Sequence, residues 1–220
     1  HTSTEGKILE NPKNSAPEFI FQRTNSPEKS PNKYTIVNIG FKNGDPITIN
    51  GKKLSPSNLL EKLNVLAGKN GIGRVDLVEN RFIGIKSRGV YETPGGTVLM
   101  LAHRAIESVT LDKKTMHKKD EVMPRYAELI YNGYWFSKER FKIQKIVDLK
   151  KSKVHGSIKL KLYKGNVTIL SRETKSTAYS IKKVSFEENK TFNKSNVERF
   201  INFHKKKTIK THSNSCVNKR

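Results

Sequence analysis

Glu79, Asn80 and Arg81 stand together at the end of a short apolar run, and Tyr91 follows Glu79 by twelve positions, beside Glu92 and just before Pro94. The stretch from Gly71 to Pro94, GIGRVDLVENRFIGIKSRGVYETP, holds more Glu, Asn, Arg, Lys, Ser and Tyr than a plain core strand needs. That density suits a pocket for a zwitterionic small molecule. Val75, Leu77 and Glu79 alternate with Asp76, Val78 and Asn80, as a strand requires. Glu79 therefore shares a face with two apolar side chains and is expected to turn inward. A partly buried carboxylate must be paired. Its structural partner would be Arg81, Lys86 or Arg88. Its functional partner would be a ligand ammonium, with the Tyr91 ring and hydroxyl completing the site. Residue chemistry alone leaves both open.

Other reactive constellations are missing from the sequence. Gly71-Ile72-Gly73 and Gly95-Gly96 lack the later Gly, Lys and Ser/Thr of a phosphate loop or dinucleotide fingerprint, and read as caps and tight turns. No Ser-His-Asp or Cys-His order stands out, and no Cys/His cluster has zinc spacing. His103 falls on a helix face with Leu99, Ala102 and Ile106 and reads as packed, not catalytic.

The elements that must position Glu79 and Tyr91 follow from periodicity and punctuation. Residues 11–33 form a Pro-rich loop. Two strands over 34–41 and 46–50 flank Asn43-Gly44-Asp45, a hairpin signal. Ser55 caps a helix with Pro56 at its first position, an apolar stripe of Leu59, Leu60, Leu63, Leu66 and Ala67, and stops at Gly68 and Gly71. Thr93-Pro94 opens a helix to about Val109. A polar helix over 112–134 is expected to break near Pro124, and another spans 138–151, with Phe141, Lys145 and Leu149 spaced by fours. Ile158, Leu160 and Leu162 alternate with Lys159, Lys161 and Tyr163 in a second hairpin, turned at Lys164-Gly165. A final amphipathic helix, with Val197, Phe200, Ile201 and His204 on one face, precedes a tail over 208–220 expected to be disordered. Hairpins mixed with helices predict an α+β fold with largely antiparallel sheet and a C-terminal helix.

The net charge of +23 raises the possibility of a nucleic-acid partner. Against it, Lys outnumbers Arg 33 to 10, whereas base and phosphate recognition favours Arg. No RNA-binding aromatic signature, zinc finger or helix-turn-helix accompanies the charge. A solvated lysine-rich surface is the preferred reading. No stretch has the length of a membrane span, and the single cysteine, Cys216, cannot form an intrachain disulfide, so a cytoplasmic protein is expected. The chain begins at His1 with no initiation or targeting character, so further sequence is expected upstream.

Gly71–Pro94 resembles the central signature of the argininosuccinate synthase family. His1-Thr2-Ser3-Thr4-Glu5 with Ile8-Leu9-Glu10-Asn11-Pro12 resembles its H-x-S-x-E…I-L-E-N/D-P segment. Arg125–Trp135, RYAELIYNGYW, is similar to its A-E-L-x-Y-x-G-x-W region, and Lys164-Gly165 with Ser171-Arg172-Glu173 to its K-G…R-E hairpin. The likeness covers roughly residues 1 to 206. It implies a ligase that condenses citrulline with aspartate through citrullyl-AMP, using Mg-bound ATP, in arginine biosynthesis. By matching positions, Ser3, Glu79 and Tyr91 would bind citrulline, with Glu79 on its ammonium. Residues 1–192 would be the synthetase/multimerisation domain, and 193–207 a helix reaching across a homotetramer. The family's S-G-G-x-D-T-S phosphate loop has no counterpart in these 220 residues. ATP and aspartate would therefore bind mainly through a half not present here, and the fragment alone would be inactive. The alternatives are a basic nucleic-acid-binding module and a standalone oligomerisation module.

Overall fold

The computed structural model describes residues 1–175, together with Glu198 and Ile201. The chain divides into two units, His1–Ala178 and Tyr179–Arg220. The helix expected over 193–207 and the tail after it lie outside the described residues, apart from Glu198 and Ile201, each helical and exposed.

Within the first unit two antiparallel sheets form. The larger has strands β2 (Thr35–Lys42), β3 (Asp45–Ile49), β4 (Lys52–Lys53), β7 (Gly156–Tyr163) and β8 (Asn166–Glu173), in the order β4-β3-β2-β7-β8. Asn43 and Gly44 take φ of 53° and 79°, and Lys164 and Gly165 take 41° and 83°. Both hairpins thus turn through two left-handed residues, the geometry that matches strand twist. Val37, Ile39, Ile158, Leu160 and Leu162 point to one face of this sheet and are fully buried. That face carries α1 (Pro56–Lys69) and α2 (Pro94–Thr110), which supply Leu59, Leu63, Val98, Ala102 and Ile106 to one continuous core. Each of the buried Val, Leu and Ile side chains contributes about 1.5–3 kcal/mol. The α+β architecture is the expected one.

Several local expectations need correction. The Ser55 hydroxyl does cap α1, accepting from the Asn58 amide, but the helix runs through Gly68 to Lys69, with Asn70 as its cap and Gly71 turning away at φ 73°. Leu60 is exposed because the α1–sheet seam uses only Leu59, Leu63 and Ala67, with Leu66 at its edge. Gly95 is neither cap nor turn. A Cβ there would lie 2.7 Å from Asn64 Oδ1 and 3.0 Å from the Asn64 amide, so its bare backbone lets α2 approach α1. Pro124 sits inside an unbroken helix, α3 (Lys113–Tyr131). Pro124 and Asp120 are both exposed, so the Asp120 carbonyl that loses its amide partner turns to water. The next helix, α4 (Lys138–Val147), ends earlier than expected and buries Arg140 and Ile143, while Phe141 and Leu149 stay exposed.

The smaller sheet holds the candidate residues. It comprises β1 (Thr2–Glu5), β5 (Arg74–Asn80) and β6 (Lys86–Glu92), in the order β1-β6-β5, all antiparallel.

Candidate functional site

Register assigns the small sheet two chemically different faces. Ser3, Tyr91 and Val75 lie directly across from one another on the three strands; Glu5, Gly89 and Leu77 form the next row, and Ser87 with Glu79 the third. Cross-strand partners point to one side, so Ser3, Glu79 and Tyr91 share one face. Thr2, Glu92 and Arg74 head the opposite face, followed by Thr4, Val90 and Asp76.

Glu79 was expected to turn inward with Val75 and Leu77. The structure reverses that: Val75 and Leu77 are 42% and 38% exposed. The loop of residues 11–33 covers the other face, where Val90 packs with Leu9 and Ile20 in a small second core. Glu79 is shielded instead by groups that reach over it, and its side chain is 15% exposed.

Those groups come from three segments. The Tyr91 hydroxyl donates to Glu79 Oε1, and the Tyr131 hydroxyl, from the last turn of α3, donates to Oε2 at 2.8 Å. Arg81 Nη1 lies 3.5 Å from the same Oε2. Arg81 is itself held by Glu5 and by the Ser87 hydroxyl, to which its Nε donates at 2.6 Å. The Tyr91 hydroxyl also lies 3.4 Å from Glu5 Oε1. Tyr91 reaches Glu79 by lying along its own strand. A Cβ on Gly89 would fall 2.5–2.7 Å from the Tyr91 ring and hydroxyl, so the missing side chain is the space that the ring fills. Hydrogen bonds from Tyr91 and then Tyr131 hold the Glu79 carboxyl below its ordinary value. Burial, then the bond to Glu79, raise the Tyr91 phenol above 10, and the bond to Glu79 raises Tyr131 likewise. Near neutral pH the cluster is one carboxylate and two protonated phenols.

Of the structural partners open to Glu79 from the sequence, only Arg81 is near it. Lys86 donates to Asn80 at 2.6 Å, and Arg88 turns to the other face, where it grips Asp76 and donates to the Asn14 carbonyl at 2.8 Å. On that face Glu92 is 2% exposed and accepts five hydrogen bonds. They come from the Thr2 and Thr24 hydroxyls and the amides of Gln22, Arg23 and Thr24, at 2.7–2.9 Å. Burial pushes this carboxyl up, but the hydrogen bonds outweigh it and hold it down to about 2. Arg74 completes the seam with a paired contact to Glu18 at 2.8 Å.

The structure thus brings Glu79 and Tyr91 into contact and places Ser3 across from Tyr91, exposed at the open end of the face. The sequence reading named Arg81 as a possible partner of Glu79 but did not assign Tyr131, Glu5 or Glu92 to the site. Tyr131 lies within the RYAELIYNGYW segment singled out by resemblance, the one available signal for it. The cluster offers carboxylates and phenols, and its cation is committed to Glu5, Ser87 and Glu79. That set suits an ammonium and does not suit a triphosphate. Among the described residues no group of His, Cys, Asp and Glu could hold a metal ion, and no helix is long and apolar enough to cross a membrane.

Residues 1–211 match the family model described as the arginosuccinate synthase C-terminal domain. The chain is 86% identical over 207 residues to the argininosuccinate synthase of Pelagibacter ubique (strain HTCC1062), covering 94% of this chain and 52% of that protein. It is 59% identical over 188 residues to the argininosuccinate synthases of Brucella canis and Brucella suis, covering 86% of this chain and 46% of each. The chain spans about half the length of the curated relatives it matches.

Proposed function

The chain belongs to the argininosuccinate synthase family, whose C-terminal domain it carries, and from that premise we propose that it forms the citrulline-binding part of a ligase joining citrulline to aspartate. The ligation uses Mg-bound ATP to activate the citrulline ureido oxygen, and the donor set around Glu79 has no part in holding that nucleotide. Glu79 takes the citrulline ammonium. Ser3 and Tyr91 bind polar ends of the same molecule along the open face. Aspartate and ATP are held by sequence beyond these 220 residues. Residues 1–192 act as the synthetase/multimerisation domain, and the stretch 193–207 joins subunits of a homotetramer in the cytoplasm. The lysine surplus is a solvated surface and not a nucleic-acid site.

One observation carries this reading. The carboxylate and phenol spaced twelve residues apart meet on a single open face, with the Ser3 strand directly beside Tyr91. A carboxylate so placed, ionised and 15% exposed on an open face, is suited to receive a cation.

An NMR titration of citrulline into the 220-residue chain tests it. Binding is expected, with shifts on β1, β5 and β6. Glu79→Ala should weaken it by about 1.5–3 kcal/mol, the value of a hydrogen bond to a charged group. Unchanged affinity in that variant would remove Glu79 from the site.

A further inference from the structure

Tyr131 reaches the Glu79 carboxylate from an element remote in sequence, and the proton inventory of the cluster gives it a task. Each phenol owns one proton. Tyr91 commits its proton to Glu79 Oε1 and Tyr131 commits its own to Oε2. Towards anything else both phenol oxygens are therefore acceptors. Arg81 touches the edge of this arrangement, its Nη1 3.5 Å from Oε2. Glu5 and the Ser87 hydroxyl take its shorter contacts, and the longer one goes to Glu79. A phenol oxygen has two lone pairs, so Tyr131 keeps acceptor capacity while it donates to Glu79.

A primary ammonium carries three donors and no acceptor. Glu79, Tyr91 and Tyr131 offer three acceptors around one negative charge. The geometry points to Tyr131 as a specificity-determining residue that completes, with Glu79 and Tyr91, a three-acceptor seat for the primary ammonium of an amino-acid substrate. This rests on the citrulline reading of Glu79 and adds a second phenol to it. Such a seat disfavours a ligand without the amino group, because that ligand leaves the remaining acceptor capacity of Glu79 and of the two phenol oxygens unmet. It also disfavours an α-hydroxy analogue, which brings one donor where three are needed.

The test compares citrulline with 5-ureidopentanoate, its analogue without the amino group, by NMR titration of the full 220-residue chain. The unmodified chain is expected to prefer citrulline about tenfold or more, and equal affinity overturns the seat. Tyr131 is half-exposed, so Tyr131→Phe removes one hydroxyl without opening a cavity. That variant should lose about tenfold in citrulline affinity and leave the analogue within about twofold. If Tyr131→Phe changes both ligands alike, or neither, while Glu79→Gln still weakens citrulline, the seat is wrong and the citrulline reading stands. If Glu79→Gln also leaves citrulline unchanged, the citrulline reading itself falls.

Discussion

Glu79 and Glu92 sit on opposite faces of one three-stranded sheet and show how partners decide a carboxylate's role. Glu92 has every lone pair met by the protein, in a site closed to solvent. It fastens Thr2 of β1 and residues 22–24 to β6, and so fixes the strand on which Ser3 is carried. Glu79 has phenols on both oxygens but stands on the open face. Glu92 therefore belongs to stability and Glu79, on the proposed reading, to binding, and pH separates them. The Glu92 carboxyl is held at about 2 against an ordinary 4.5. Its stabilisation is complete above the unfolded value and is lost as pH falls from there through the folded one. Glu92→Gln should cost about 3 kcal/mol at neutral pH, taking about 1.4 kcal/mol for each pKa unit. Urea unfolding at pH 7, 5 and 3.5 should show the gap between variant and parent shrinking as acid is added. A gap of constant size would mean that the loss is one of packing and not of charge.

The strand β6 works as an element because of what it omits. Gly89 lets the Tyr91 ring lie along the strand and span two rows to Glu79. Gly89→Ala is compatible with a strand backbone but puts a methyl where the ring now lies. The ring should swing away, citrulline affinity should fall with the fold retained, and the Tyr91 phenol should titrate nearer its ordinary value of 10 than the raised one it now has. Phenolate absorbance against pH measures this, and an unchanged titration would show that the ring does not depend on the gap. Elements of this kind were legible where one residue's chemistry settled the matter: the Asn43-Gly44 and Lys164-Gly165 turns, the Ser55 cap, the alternation of Ile158, Leu160 and Leu162. Legibility failed where a third party decided. The alternation of β5 gave the faces of Val75, Leu77 and Glu79 but not which face the 11–33 loop would cover. Pro124 has helix-breaking chemistry that an exposed Asp120 carbonyl renders harmless. Tyr131 meets Glu79 across 52 residues of sequence, by a long-range side-chain contact that no local pattern encodes.

At the scale of the whole molecule, the proposed function makes the site one wall of a reaction that needs more than one. Ligation requires an activated carbon and an attacking amine held roughly 3–3.5 Å apart in line. The open face offers acceptors for one amino acid, and its guanidinium is already engaged by Glu5 and Ser87. The 220 residues contain no phosphate-cradling glycine loop, and the relatives they match are about twice as long. Citrulline binding and turnover should therefore come apart. The chain alone, given ATP with magnesium, citrulline and aspartate, should release no pyrophosphate above background while still showing the citrulline shifts on β5 and β6. Joining it to the part of the Pelagibacter ubique relative outside the match should restore release, since 86% identity preserves the surfaces that must meet. Release by the chain alone would mean that these residues hold a nucleotide in a way that the Glu79 cluster does not suggest. Failure of the joined protein, with citrulline still bound, would move the fault from the citrulline wall to the approach of the second substrate.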